Sequence, residues 1–494
     1  MNRAAICSVL LLAVVAADGC AQPPPSASVA RPKPPAQTSA SSVESGVAVE
    51  RKAESPRPSA EPQGVPHNSE QGASHDWPGF LGPSRNGKSA ERGLPREWPA
   101  AGPPIVWQTS IGTGYAAPAI MDGRLYHFAR FGDNERLTCL NAETGEPVWT
   151  CDYPTTYEDM LGYNNGPRAT PVVDGPHVYT FGAEGMLQCV RVADGEPVWR
   201  IDTTKEFHVV KNFFGVGSTP LVWGDLLLVN VGGSPPDGPA DVYAAQGRVE
   251  SNGSAVVAFE KATGKVRWKT GDDVASYASP VLAKIDGRDT VFMFARGGLL
   301  AIDPAKGEVL AQFPWRARLL ESVNASSPVI VDDEVFISET YELGSALVKF
   351  SGAGFEEVWT DRGRRRNRAM ALHWNTPIEH EGYLYGSSGY HAPEAELRSI
   401  EWKTGQVKWS EPDMGRSSLL LIDGTLVCLS EDGTLRLIRA TPERYEKLAE
   451  WELKSDDGTP LLKYPAWAAP ALARGLLYIQ GADRLVCLKL MDGK

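Results

Sequence analysis

One unit of roughly 50 residues recurs through most of this chain, and it constrains the fold more than any other feature. The unit opens on Ala, Ser or Thr before Pro, then passes a turn carrying Asp or Gly into Leu/Val-Tyr. A Gly turn and an apolar run follow, and Thr-Gly-x-x-x-Trp closes it. It runs from Ala117-Pro118 to Trp149, from Thr170-Pro171 to Trp199 and from Thr219-Pro220 to Trp268. Further copies start at Pro280, Pro328 and Pro377. Trp359 and Trp409 close the last two, whereas the Pro280 copy carries Phe313 in the closing slot, followed by Trp315. A seventh copy has Leu419 in place of proline and ends at Trp451; an eighth begins at Pro470 and stops at Cys487-Leu488 without a last strand. Each unit contains four short alternating runs rich in Val, Ile, Tyr and Leu and bounded by Gly, Asp or Asn, the pattern of half-buried strands. Four strands per unit at this period predict an all-β fold, an eight-bladed β-propeller of four-stranded antiparallel blades. The segment Ile105-Val106-Trp107-Gln108 precedes the first unit and carries an unpartnered closing Trp. Pairing it with the truncated last unit closes the ring and removes two exposed sheet edges, so Trp107 and Cys487 are expected in one blade.

The rest of the chain is of a different kind. Residues 1–19 read as an export signal, with Arg3 ahead of an apolar run from Ala4 to Ala17. The ending Ala17-Asp18-Gly19-Cys20 resembles a bacterial lipoprotein box, which makes Cys20 a candidate lipidation site. It also predicts residence in the periplasm or at the outer membrane, with membrane contact through the lipid. Residues 20–75 form a Pro/Ser/Ala-rich stretch without Trp, Tyr or Phe, expected to be a disordered tether because it buries too little apolar surface to offset its ordering entropy. Residues 76–494 are assigned to the propeller. A formal net charge of −12 argues against a nucleic-acid partner, since phosphate binding rests on Lys and Arg. Cys139, Cys189 and Cys487 share one slot of the repeat with Ala258, which favours apolar packing over disulfides.

The segments Leu125-Tyr126 and Leu137 to Trp149, repeated around the chain, resemble the repeats of pyrroloquinoline-quinone-type propellers. The chain is similar to a secreted bacterial subgroup of these, with Asp76-Trp77-Pro78 and Gly82-Pro83-Ser84-Arg85-Asn86-Gly87 ahead of the first blade. Both quinoprotein dehydrogenases and the lipoprotein of the outer-membrane β-barrel assembly machinery use such rings, and only the former bind the quinone. The resemblance thus implies two functions. One is a binding or scaffold module of the cell envelope, and the other is a divergent alcohol or sugar oxidoreductase using pyrroloquinoline quinone with Ca²⁺. The chain lacks the vicinal Cys pair of the dehydrogenases and any compact acidic cluster for a hard cation. The first function is therefore expected, without cofactor or metal, as a monomeric ring whose partner is an envelope protein or a small anionic or planar ligand.

The repeat also serves as a coordinate system for the site. Residues one and two places before the proline slot are small, with only Asn375 larger, as crowding near an axis demands. Three places before it stand Tyr115, Arg168, Gly217, Tyr277, Ala325, Trp374, Arg416 and Trp467. Aromatic planes and guanidinium forks in one ring suit a planar anionic ligand or a peptide carboxylate. Asn324 and His373 lie one place further out; with Glu321, Glu339, Tyr341, Tyr390 and His391 they make the sector of blades four to six the expected binding face. Gly82 to Ser89 matches a phosphate-loop pattern, but no strand of any length precedes it and Gly93 and Pro95 interrupt a following helix, so no nucleotide site is expected. The one basic run, Arg362 to Arg368, reads as a solvated interblade loop or a contact to an anionic surface.

Overall fold

The computed structural model describes residues 75–95, 97–246, 249–364, 366–455 and 457–492; the export signal, Cys20 and the tether lie outside the described residues. Eight four-stranded antiparallel sheets form the fold. Seven of them follow chain order, from the blade of Ala119–Met121, Arg124–Phe131, Asn134–Asn141 and Pro147–Pro154 to the blade that ends at Lys447–Glu452. The eighth takes Ala471–Ala473, Leu476–Gln480 and Arg484–Lys489 and is completed on its outside by Ile105–Ser110. In that closing pair Trp107 lies opposite Cys487, as the truncated last repeat predicts. Helix among the described residues is confined to Thr203–Phe207 and a 3₁₀ turn at Ala392–Glu394.

The Thr-Gly-x-x-x-Trp motif is a clasp between blades. The Trp149 indole N–H donates to the carbonyl of Val192 in the next blade, Trp199 to Lys261, Trp268 to Pro304, Trp359 to Trp402 and Trp409 to Thr441. Trp107 donates to Ala142 across the closure, at 2.9 Å. Four of these rings pack on the motif glycine of the following blade: a Cβ on Gly195 would stand 2.6 Å from Trp149, on Gly264 2.8 Å from Trp199, on Gly307 2.5 Å from Trp268 and on Gly405 2.7 Å from Trp359. Glycine is required there twice over, by contact and by a positive φ. Where the fourth blade carries Phe313, the Arg362 guanidinium packs 4.4 Å from the Trp315 ring centroid and donates to the Pro314 carbonyl. The shared cysteine slot faces the closing Trp across the strand pair, with Cys139 opposite Trp149 and Cys189 opposite Trp199. All five described cysteines are buried and free.

The blades are also stitched around the axis. The residue just before the proline slot offers its hydroxyl to a backbone N–H of the preceding blade: Thr170 N–H donates to Thr219, Thr219 N–H to Ser279, Ser279 N–H to Ser327 and Ser327 N–H to Thr376, at 2.9–3.1 Å. Four junctions use the hydroxyl, whereas Ala117 and Ala469, before Pro118 and Pro470, keep only the small size.

The stretch from His75 to about Gly93 spans the far ends of the inner strands. Trp77 exchanges backbone bonds with Ile120, the Val173 N–H donates to Pro78, and Leu421 bonds Gly87 and Ser89. Arg85 reaches the carbonyls of Thr219 and Pro220, Lys88 pairs with Glu379 at 2.7 Å, and Glu91 accepts from the Gly475 N–H. The phosphate-loop lookalike is thus an axial plug. Its glycines serve packing, since a Cβ on Gly82 would meet the Trp77 ring at 2.9 Å and one on Gly87 would meet Ile378 at 3.0 Å.

Candidate functional site

A cavity of about 210 Å³ lies on the axis where the inner strands begin. All eight positions of the sequence-derived ring line it, Tyr115, Arg168, Gly217, Tyr277, Ala325, Trp374, Arg416 and Trp467, joined by His373 and Asn375. Phe80 and Leu81 of the plug also line it and close its floor. The walls are aromatic: Trp467 lies 4.9 Å from Tyr115 and 6.0 Å from Trp374, and Phe214 lies 5.6 Å from Tyr277. Tyr163 and Tyr390, both exposed, stand at the rim.

Both ring arginines have internal carboxylate partners, which the sequence reading did not include. Arg168 is paired with Asp159, whose side chain is fully buried, and also donates to the carbonyls of Gly166 and Asn164. Arg416 forks onto Glu431 with contacts of 3.0 and 2.6 Å, and the Trp467 indole N–H donates to the same carboxylate at 2.9 Å. Burial alone would raise the Glu431 pKa; the bonds from Arg416 and Trp467 outweigh it and hold the group below the usual carboxylate range. A buried guanidinium without such a partner would carry a large desolvation cost, which is why the fold supplies one for each. What remains facing the cavity is aromatic surface and a few directional polar groups.

The most directional of these is a chain through His373. Arg416 Nη1 lies 3.2 Å from His373 Nδ1, and His373 Nε2 lies 3.2 Å from the Tyr341 hydroxyl. Burial, reinforced by the Arg416 charge, lowers the His373 pKa to about 3 and keeps the ring neutral. A guanidinium can only donate, so Nδ1 accepts and the single ring proton sits on Nε2. The Tyr341 oxygen then accepts from Nε2, which leaves its own O–H available to the cavity it lines. Burial pushes the Tyr341 pKa up, so the phenol stays a donor.

Asn324 does not belong to the cavity. Its side-chain amide donates to the carbonyls of Ala295, Arg296 and Trp315, and it is fully buried. Its left-handed backbone, at φ 43°, sends the side chain outward between blades to close a turn. Asn375 lines the wall but bonds the Ser387 carbonyl. Glu339 accepts from the N–H groups of Tyr341 and Leu343, fixing the loop that presents Tyr341; burial raises its pKa to about 7. In the basic run, Arg362 is committed to Trp315, and Arg368 donates to the carbonyls of Glu342 and Arg364. Sequence reasoning missed Asp159, Glu431, Phe214 and the floor. Glu431 had one available signal, its place directly after the second strand of its blade, one position beyond that of Glu339 at the end of the corresponding strand.

The fold and site together define an eight-bladed propeller with a one-ended axial pocket. The family pattern described as outer membrane protein assembly factor BamB matches residues 100–233 and 133–411, more than half of the sequence, and the chain belongs to this family. Among solved structures it is similar to BamB from Moraxella catarrhalis, with 13% identity, a TM-score of 0.53, and coverage of 78% of this chain and 97% of that one. It also aligns with the quinohemoprotein alcohol dehydrogenase from Comamonas testosteroni at 14% identity and TM-score 0.49, over 86% and 82% of the two chains. Sequence comparison with curated proteins gives no match.

A polycarboxylate quinone with Ca²⁺ does not fit the residues present. The buried carboxylates beside the cavity, Asp159 and Glu431, are saturated by Arg168 and Arg416, so neither pair offers oxygen ligands to calcium or free cations to the quinone. Among the described residues, no group of three or more His, Cys, Asp or Glu side chains is placed to hold a metal ion.

Proposed function

We propose that this chain is an exported, lipid-tethered binding module of the bacterial envelope whose axial pocket receives an uncharged planar group, presented by an envelope protein or a small molecule, without quinone. The observation that carries this reading is the pocket itself: a closed floor, aromatic walls, and both arginines neutralised internally. Aromatic faces reward a flat apolar body, and the Tyr341 O–H supplies one directional donor for an acceptor on its edge. Membership of the BamB family supports a scaffold role with protein partners.

Fluorescence titration of the full chain tests the pocket, because Trp374 and Trp467 line it. Quenching by 2-naphthol, weaker quenching by 2-naphthoate, and loss of both in Trp467→Ala are expected. Incubation with pyrroloquinoline quinone and Ca²⁺ should give neither a bound-quinone absorbance nor dye-linked alcohol oxidation. Stoichiometric quinone uptake with turnover would overturn the proposal in favour of the oxidoreductase.

A further inference from the structure

Blade three departs from its neighbours at one place. Its second and third strands, Leu226–Asn230 and Val256–Glu260, are joined by a 25-residue connection, whereas the strands of the preceding blade, His177–Phe181 and Met186–Arg191, are joined by a tight turn. The insertion folds back over the loop that leads into its own blade. The Val242 N–H donates to the Lys211 carbonyl, and the Asn252 amide ties the Phe207 and Ser234 carbonyls together at 3.1 and 2.9 Å. Beneath this roof lies a second cavity of about 190 Å³, separate from the axial one and sharing no lining residue with it.

The lining has two characters. Val209, Val210, Val216, Val231, Val242 and Val274 supply branched apolar surface. Set into that surface is Arg296, 1% exposed, with its Nε lacking any hydrogen-bond partner. One of its terminal nitrogens donates to the Leu320 carbonyl at 2.9 Å. The nearby Asp273 does not bond it, because its oxygens accept from the N–H groups of Val274 and Gly297. Two further buried polar atoms on the same lining are unpartnered, the Tyr157 hydroxyl and Asn230 Oδ1, in residues 4% and 2% exposed. At the exposed rim stand Lys211 and Glu158, while Glu184 is occupied by Thr155 and Thr156. Polar atoms buried without partners are costly, and two of these, Arg296 Nε and the Tyr157 hydroxyl, are donors that call for an acceptor in the cavity.

We propose that this cavity binds a small aliphatic carboxylate, its charged end on Arg296 and Tyr157 and its branched hydrocarbon among the valines. The guanidinium fork is the protein's best match to a carboxylate, and the valines set the size and shape of the tail. This proposal does not depend on the reading of the axial pocket.

Isothermal titration calorimetry of the full chain with 4-methylpentanoate and its neutral amide tests it. The acid should bind about tenfold or more tightly than the amide, the difference expected for a charge-assisted bond in a buried site. Arg296→Met, which removes the charge and keeps the bulk, should abolish that preference. Val242→Trp should block both compounds by filling the cavity, and Trp467→Ala in the axial pocket should change neither. Equal affinity for acid and amide, no binding of the acid to the wild-type chain, or a preference that survives Arg296→Met would overturn the proposal.

Discussion

The imidazole of His373 is held between a guanidinium that can only donate and a phenol free to do either, so its tautomer is decided by its neighbours. The same surroundings fix its titration. Its pKa falls from 6.5 to about 3 on folding, through burial first and the Arg416 charge second. Between those values the unfolded chain binds a proton that the folded chain refuses. His373 therefore contributes stability that is fully present above about pH 6.5 and is lost as pH falls towards 3. In urea unfolding measured from pH 7 to pH 4, His373→Gln should remove this contribution, losing less stability on acidification than the parent chain while the opposing carboxyl Glu339 is common to both. In carbon-detected NMR the His373 ring should not titrate between about pH 8 and pH 5, and a midpoint near the ordinary histidine value would refute the buried, arginine-facing placement.

At the scale of the element, the clasp makes a prediction with a built-in control. Gly195 and Gly175 both have positive φ, 79° and 53°, but a Cβ on Gly195 would lie 2.6 Å from the Trp149 ring while one on Gly175 meets nothing within 4 Å. Gly175→Ala should cost about 1 kcal/mol of backbone strain alone. Gly195→Ala adds overpacking against the clasp, for a total of roughly 2 kcal/mol or more by urea unfolding. Equal losses would mean that the ring does not bear on the glycine. The clasp, the strands and the ring of eight were legible because each is written within one repeat and repetition exposes it. The pairing of Arg416 with Glu431 and the function of Arg85 were not. Each joins residues from different elements, in the plug's case 135 positions apart, and a guanidinium in a pattern does not reveal which carbonyl or carboxylate it will meet. That gap is why the ring was read from sequence without the carboxylates that pair its arginines.

For the whole molecule the decisive contact is the one that makes a ring out of a row. Blades one to seven could stack in order without knowing where the chain ends, but the eighth exists only because Ile105–Ser110 joins Arg484–Lys489. Trp107 carries that junction. It packs on Gly145, donates to the Ala142 carbonyl, lies 6.0 Å from Tyr478, and belongs to a core cluster that runs from Trp77 to Met491. Trp107→Ala should cost about 3–5 kcal/mol, the range for removing a large buried aromatic, while leaving a closed monomer because the backbone pairing remains. A chain beginning after residue 110 loses the strand itself, together with the plug that floors the cavity. Its last blade then presents Arg484–Lys489 as an unpaired edge, the surface on which sheets add to one another. Light scattering should find the point variant monomeric and the truncated chain self-associated, with quenching by 2-naphthol lost in the latter. A truncated chain that stays monomeric and unfolds in one transition with unchanged midpoint would show that the ring is held by its interblade clasps and not by its closure.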